Sequence, residues 1–148
     1  MSTVYTVLNS IHLLFAGLWT GATVFFAWRV RPLVADGDLA VEPTMLLSSG
    51  LRWLTRISAV VFVVTGGHMA ATEYGDGALL STTQGHIVVT MLVIWLVVTG
   101  LLEMALGTME TELGEGRVRT AGKEVRVPFL AASVLLSVVL LLGGYLSA

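Results

Sequence analysis

The chain has 148 residues, of which 55% are apolar and only 12% are charged, and its mean hydropathy is +0.87. This composition excludes an ordinary soluble domain and indicates a single membrane domain covering residues 1–148. The net charge of −2 says little about partners because the charges are segregated along the chain, and no basic patch interleaved with aromatic residues indicates nucleic-acid binding. Cysteine is absent, which excludes disulfides, iron–sulfur clusters and thiolate metal sites.

Four long apolar segments predict an all-α, multi-pass membrane bundle of four helices. They run over about Val4–Val30, Leu51–Ala71, His86–Gly107 and Val127–Ser147. Each reaches the roughly 20 residues that a helix needs to cross the hydrocarbon core of a bilayer. Arginines follow the first segment where a signal peptide would have a cleavage site, so we expect this segment to be retained.

The connections between these segments differ in charge. All eight Lys and Arg residues flank the first and third connections, whereas the second carries Glu73 and Asp76. The positive-inside rule then predicts a cell-membrane protein with both termini outside. Prolines predict that the first connection, about Arg31–Leu47, is a loop with a short interfacial piece. The third, Met109–Arg126, is predicted to extend the helix and then turn.

One cation, Arg56, lies slightly inside the second apolar segment. Its side chain can extend to the cytoplasmic interface, or it can pair with Glu103, the carboxylate that lies within an apolar run. We favour the pair, which would be structural.

The three histidines of the chain all lie toward the end of the bundle opposite the cations. His12, His68 and His86 are expected at similar depth, which makes them a candidate functional site. The alternative is that they are hydrogen-bonded packing residues. Trp19 shares a helix face with His12, and two glycine pairs leave space for a bulky group at that depth. These pairs are Gly66 with Gly67 and Gly143 with Gly144.

Two cofactors suit such a site. Haem b takes two axial imidazoles from facing helices, and His12 and His86 would face each other if their helices lie on the bundle diagonal. His68 would then bind a propionate or support a ligand. Copper is the alternative, with His12, His68 and His86 as a three-nitrogen site.

The stretch from His12 to Gly21 reads H-x6-W-x-G and resembles the first helix of the CopD copper-resistance family. Arg56-Ile-Ser58, then Thr65-Gly66, and Tyr74-Gly75 followed by Leu79-Leu80 are similar to later CopD segments. The resemblance covers about residues 8–105 and extends to the related HemJ-type protoporphyrinogen oxidases. It implies a membrane protein acting on copper or haem, with His12 as a haem ligand. A lysine of the third HemJ helix is missing here, and His86 stands near its position.

The sequence therefore favours haem b binding for electron transfer or a haem-linked redox step. Copper transport or delivery across the membrane is the alternative. A third possibility is a non-catalytic subunit of a larger membrane complex or a homo-oligomer. The lipid bilayer is the one partner expected in each case, and no residue is assigned a catalytic role.

Overall fold

Helices form nearly all of the chain in the computed structural model, which describes residues 2–75 and 77–146. Four helical segments are long and apolar enough to cross a membrane, and they span Thr3–Asp36, Val41–Glu73, Thr83–Gly114 and Arg126–Leu146. The all-α four-helix bundle is therefore confirmed, with no strand among the described residues. Asp76 and the predicted last residue of the fourth segment, Ser147, lie outside these residues.

The first span consists of three consecutive helices. They are α1 (Thr3–Phe25), a π-helix (Phe26–Val30) and α2 (Arg31–Asp36). The π-helix lies directly before Pro32, which has no N–H to donate and whose ring clashes with a preceding carbonyl in a regular α-helix. The wider π-turn accommodates this proline, and the helix continues beyond it.

The first connection is much shorter than the predicted loop over Arg31–Leu47. Helix α2 ends at Gly37, whose φ of 79° is left-handed, and α3 (Val41–Glu73) begins four residues later. Prolines predict a loop here, but Pro43 lies in the first turn of α3, where a backbone N–H has no hydrogen-bond partner within the helix. The loop prediction is wrong for this reason.

The second connection contains a short helix, α4 (Ala78–Ser81), and the following α5 (Thr83–Gly114) is capped by Thr82, whose hydroxyl accepts from the Gly85 N–H at 3.0 Å. In the third connection α5 continues to Gly114, as predicted. A turn at Gly116 (φ 75°) leads into α6 (Val118–Glu124) and then α7 (Arg126–Leu146).

The four long helices form a ring. Helix α1 packs mainly on α3 and α7, and α5 packs on the same two helices, so α1 and α5 lie on a diagonal. We call the end formed by Asp36, Val41, Gly114 and Arg126 the basic end. The end formed by Thr3, Glu73, Thr83 and Leu146 is called the histidine end.

Packing differs sharply between the two halves. The fully buried apolar side chains lie from the middle of the bundle to the basic end, and include Trp19, Val98, Leu106, Met109 and Phe129. In the half toward the histidine end, Thr65 and Gly85 are the buried residues among those described. The hydrophobic core therefore lies in the basic half, and the histidine half has few fully buried side chains among those described.

The predicted pair between Arg56 and Glu103 is confirmed. The guanidinium donates two hydrogen bonds to the carboxylate, at 2.9 and 3.0 Å. Arg52, one turn earlier on α3, contacts the same carboxylate at 3.7 Å and pairs with Glu110. Two arginines of α3 and two glutamates of α5 thus form one ion network in the basic half of the bundle.

Candidate histidine site

His12 is held by a hydroxyl group of α3. Its Nδ1 lies 2.7 Å from Thr65 Oγ1, and that hydroxyl is also 2.7 Å from the Val61 carbonyl oxygen. A carbonyl only accepts, so the single hydroxyl proton goes to Val61 and His12 Nδ1 must donate. This assignment puts the ring proton on Nδ1, and it leaves the lone pair on Nε2 without a hydrogen-bond partner among the described residues.

Aromatic rings and a glycine surround the His12 imidazole. The Phe62 ring centroid is 4.9 Å away, and Phe62 in turn contacts Trp19 at 5.7 Å. A Cβ atom at Gly66 would lie 3.3 Å from His12 Cε1, closer than an ordinary contact. The absence of a side chain at Gly66 therefore provides the room in which the imidazole lies against α3.

Trp19 repeats the His12 arrangement deeper in the bundle. Its indole N–H donates to Thr55 Oγ1 at 3.0 Å, and that hydroxyl donates to the Leu51 carbonyl at 2.9 Å. In both cases an aromatic N–H of α1 meets a threonine of α3 whose own proton is already used within its helix. These two contacts attach α1 to α3 in the apolar interior.

The threonines that hold His12 and Trp19 belong to a row of buried residues along one face of α3, which was not predicted from the sequence. Buried residues of α3 recur at alternating steps of four and three, which is the spacing of one packed helix face. The row consists of Thr44, Ser48, Leu51, Thr55, Ser58 and Thr65, with half-buried Phe62 filling the remaining step. Hydroxyls on this face were the available signal for hydrogen-bonded partners of α1.

The His86 side chain contacts α4 (Ala78–Ser81), the short helix that precedes α5. Its Nε2 lies 2.9 Å from the Leu80 carbonyl oxygen, so this nitrogen is the donor. The corner between α4 and α5 is tight at Gly85, where a Cβ atom would lie 2.7 Å from the Ala78 carbonyl oxygen. His86 itself is exposed, and its side chain fastens the start of α5 to the preceding turn.

The histidines do not share one depth. The contact between Arg56 and Glu103 sets the register of α3 against α5, and it places Ile94 level with Thr65 and hence with His12. His86 then lies about 12 Å closer to the histidine end, at 1.5 Å of rise per residue. An imidazole pair on opposite sides of one iron atom requires matched depth, so this register does not bring His12 and His86 together as an axial pair.

His68 lies one turn beyond Thr65 toward the histidine end, with an exposed side chain. Among the described residues, no group of three or more His, Asp or Glu side chains lies close enough to hold a metal ion. The three histidines therefore do not form the expected three-nitrogen cluster in this structure.

The glycine pairs have different surroundings. Gly66 adjoins His12, whereas a Cβ atom at Gly67 or Gly144 would meet nothing within 4 Å. At Gly143 it would lie 3.5 Å from the terminal methyl carbon of Met91, so this glycine brings α7 against α5. Gly66 is the one of the four that directly shapes the surroundings of a histidine.

Trp95 of α5 is a further polar residue at the depth of His12. Its indole N–H is buried without a hydrogen-bond partner in the described part of the chain. The ring lines an open apolar groove of about 280 Å³ together with Ala59, Val60, Val63 and Val64 of α3. An unsatisfied buried donor of this kind is uncommon in native structures.

Comparison with family models, with curated proteins and with solved structures finds no match for this chain.

Proposed function

We propose that this chain is a cell-membrane protein that binds haem b with His12 as an iron ligand, for electron transfer or a haem-linked redox step. One observation carries the proposal: Thr65 accepts the Nδ1 proton of His12 and leaves the Nε2 lone pair available. Metal-ligating histidines commonly donate their other ring N–H to a fixed acceptor, which sets both tautomer and ring orientation.

The surroundings of His12 fit a flat apolar group. Gly66 removes the side chain that would crowd the imidazole, and Phe62 supplies an aromatic wall. Described residues in this half of the bundle are mostly half-buried or exposed, in contrast to the dense core at the basic end. A porphyrin could lie against the apolar side chains of this half, where it would replace lipid rather than water. Bound haem would supply one-electron transfer.

The register changes the roles of the other two histidines in this proposal. His68 and His86 lie between His12 and the histidine end, where propionates would reach toward water. We assign both to the propionate side, so His12 is the essential ligand. The resemblance of the His12–Gly21 stretch to CopD-like proteins supports haem or copper. Haem needs fewer converging protein ligands than a three-histidine copper site, and the register favours it.

Absorption spectra and metal analysis of the purified full-length protein, produced with added haem, test this proposal. We expect a Soret band that His12→Ala abolishes and that His68→Ala and His86→Ala only shift. A protein that lacks haem but holds stoichiometric copper would replace the proposal with copper transport or delivery. A protein that holds neither would indicate a non-catalytic subunit.

A sharper variant tests the role of Thr65. Thr65→Val keeps the side-chain shape but removes the acceptor for His12, and we expect haem affinity to fall by about 10–100-fold. Thr55→Val is the matched control, because it removes the same kind of hydroxyl from the Trp19 contact. Equal haem affinities of the two variants would contradict the proposed role of Thr65.

A further inference from the structure

A second site lies at the basic end, far from the histidines. An open pocket of about 510 Å³ lies where α2, α6 and the start of α7 meet. Its walls are formed by Arg31, Pro32, Ala35, Asp36, Lys123 and Arg126. Three cations face a single carboxylate, so the pocket has a formal excess of two positive charges.

The cations of this pocket lack the partners that other cations of the chain have. Arg52, Arg56 and Arg117 all form ion pairs with glutamates. Among the described residues, none of the three pocket cations has a carboxylate within ion-pair distance. Asp36 offsets one of these three charges, and a bound anion would relieve the repulsion that remains among the cations.

Arg31 is oriented by the backbone and keeps donors for a ligand. Its Nη1 donates to the Gly122 carbonyl at 3.2 Å and its Nε contacts the Ala27 carbonyl at 3.4 Å. A guanidinium has five N–H donors in a planar fork, so Arg31 retains donors suited to a phosphate. Arg126 lies close enough to Arg31 for their charges to repel, which brings a second cation to the same site.

Exposed apolar side chains lie next to the pocket residues in the sequence. Trp28 is 58% exposed one turn before Arg31, Leu33 is 44% exposed, and Val127 is 74% exposed beside Arg126. Tryptophan at the end of an apolar span is typical of the headgroup level of a bilayer. An anionic group bound in this pocket would thus contact the cations, and an apolar part of the same ligand could contact the exposed apolar side chains nearby.

We propose that this pocket binds the phosphate of an anionic lipid headgroup, with the acyl chains lying along the exposed apolar side chains beside it. Basic pockets between helices at the cytoplasmic side of membrane proteins are suited to such headgroups. Free inorganic phosphate offers the same anionic oxygens but cannot use the apolar surface beside the pocket.

Lipid binding to the full-length protein in an uncharged detergent tests the proposal, with phosphatidylglycerol, phosphatidylcholine and inorganic phosphate as the three probes. We expect phosphatidylglycerol to bind more tightly than the other two. The double variant Lys123→Gln/Arg126→Gln should weaken its binding by about 5-fold for each cation removed. Both side chains are exposed, so the fold is expected to be retained.

The matched control is Arg29→Gln/Arg119→Gln, which removes two cations without an ion-pair partner from outside the pocket wall. The affinity of this control for phosphatidylglycerol should fall by less than the affinity of the pocket variant does. Equal weakening in both variants would overturn the pocket and indicate general surface attraction. Phosphate binding as tight as phosphatidylglycerol, or equal binding of phosphatidylcholine, would overturn the lipid assignment. Photo-crosslinking of an anionic lipid should label Pro32 or Ala35, and labelling only elsewhere would overturn the site.

Discussion

The contact between α2 and α6 depends on the absence of a side chain at Gly122, and Gly122→Ala tests this directly. A Cβ atom at this position would lie 2.7 Å from Ala35 Cα and 2.8 Å from the Val34 carbonyl carbon. These neighbours are backbone atoms of α2, so no side-chain rotation relieves the overlap. The two helices must separate, and the Arg31 hydrogen bond to the Gly122 carbonyl at 3.2 Å must lengthen.

Two effects of opposite sign set the size of the change. Alanine is favoured over glycine inside a helix by about 1 kcal/mol. Overpacking of a close contact costs about 1–3 kcal/mol, and the rigid backbone places this site toward the upper value. We therefore expect the free energy of unfolding to fall by roughly 1–2 kcal/mol, which lowers Tm by about 2–8 °C in a chain of this size.

Gly50→Ala is the matched control, because Gly50 also lies inside a helix and a Cβ atom there would meet nothing within 4 Å. Helix propensity acts alone at Gly50, and Tm should rise by about 2–4 °C. Thermal unfolding in mild detergent, followed by circular dichroism, measures both variants. A Gly122→Ala protein as stable as the wild type would refute the argument that the α2–α6 contact excludes a Cβ atom.

Two further predictions concern orientation and the ion network. Cysteines that replace Ser2 and Thr83 should react with an impermeant thiol reagent in whole cells, whereas one that replaces Gly114 should not. The reason is that the cations predict a cytoplasmic basic end. The reverse labelling pattern would show that the predicted orientation is wrong. Glu103→Gln removes the carboxylate that Arg52 and Arg56 share, and it should lower the free energy of unfolding by about 0.5–1 kcal/mol because the pair is partly exposed. The control is Asp38→Asn, because Asp38 is an exposed carboxylate without an ion pair in the described structure. This change should leave Tm nearly unaltered. Equal Tm values for the two variants would argue against the ion network.

Hydropathy and charge alone predict the architecture of this protein. A run of apolar residues long enough to cross a bilayer must satisfy its backbone internally, so four such runs specify four helices. The pair between Arg56 and Glu103 was also predictable, because a carboxylate within an apolar run needs a cation at its own depth. The helical extension to Gly114 and the turn at Gly116 likewise follow local signals.

Tertiary structure decided the rest, because helix register and helix ends depend on packing. The sequence places the three histidines toward one end of the bundle, and the α3–α5 register shows that His86 does not share the depth of His12. Prolines predicted a loop before α3, but Pro43 starts the helix. Thr65 became the partner of His12 only when α1 packed against the hydroxyl row of α3. Sequence specifies which groups lie on each helix face, whereas the rotation and sliding of packed helices determine which groups meet.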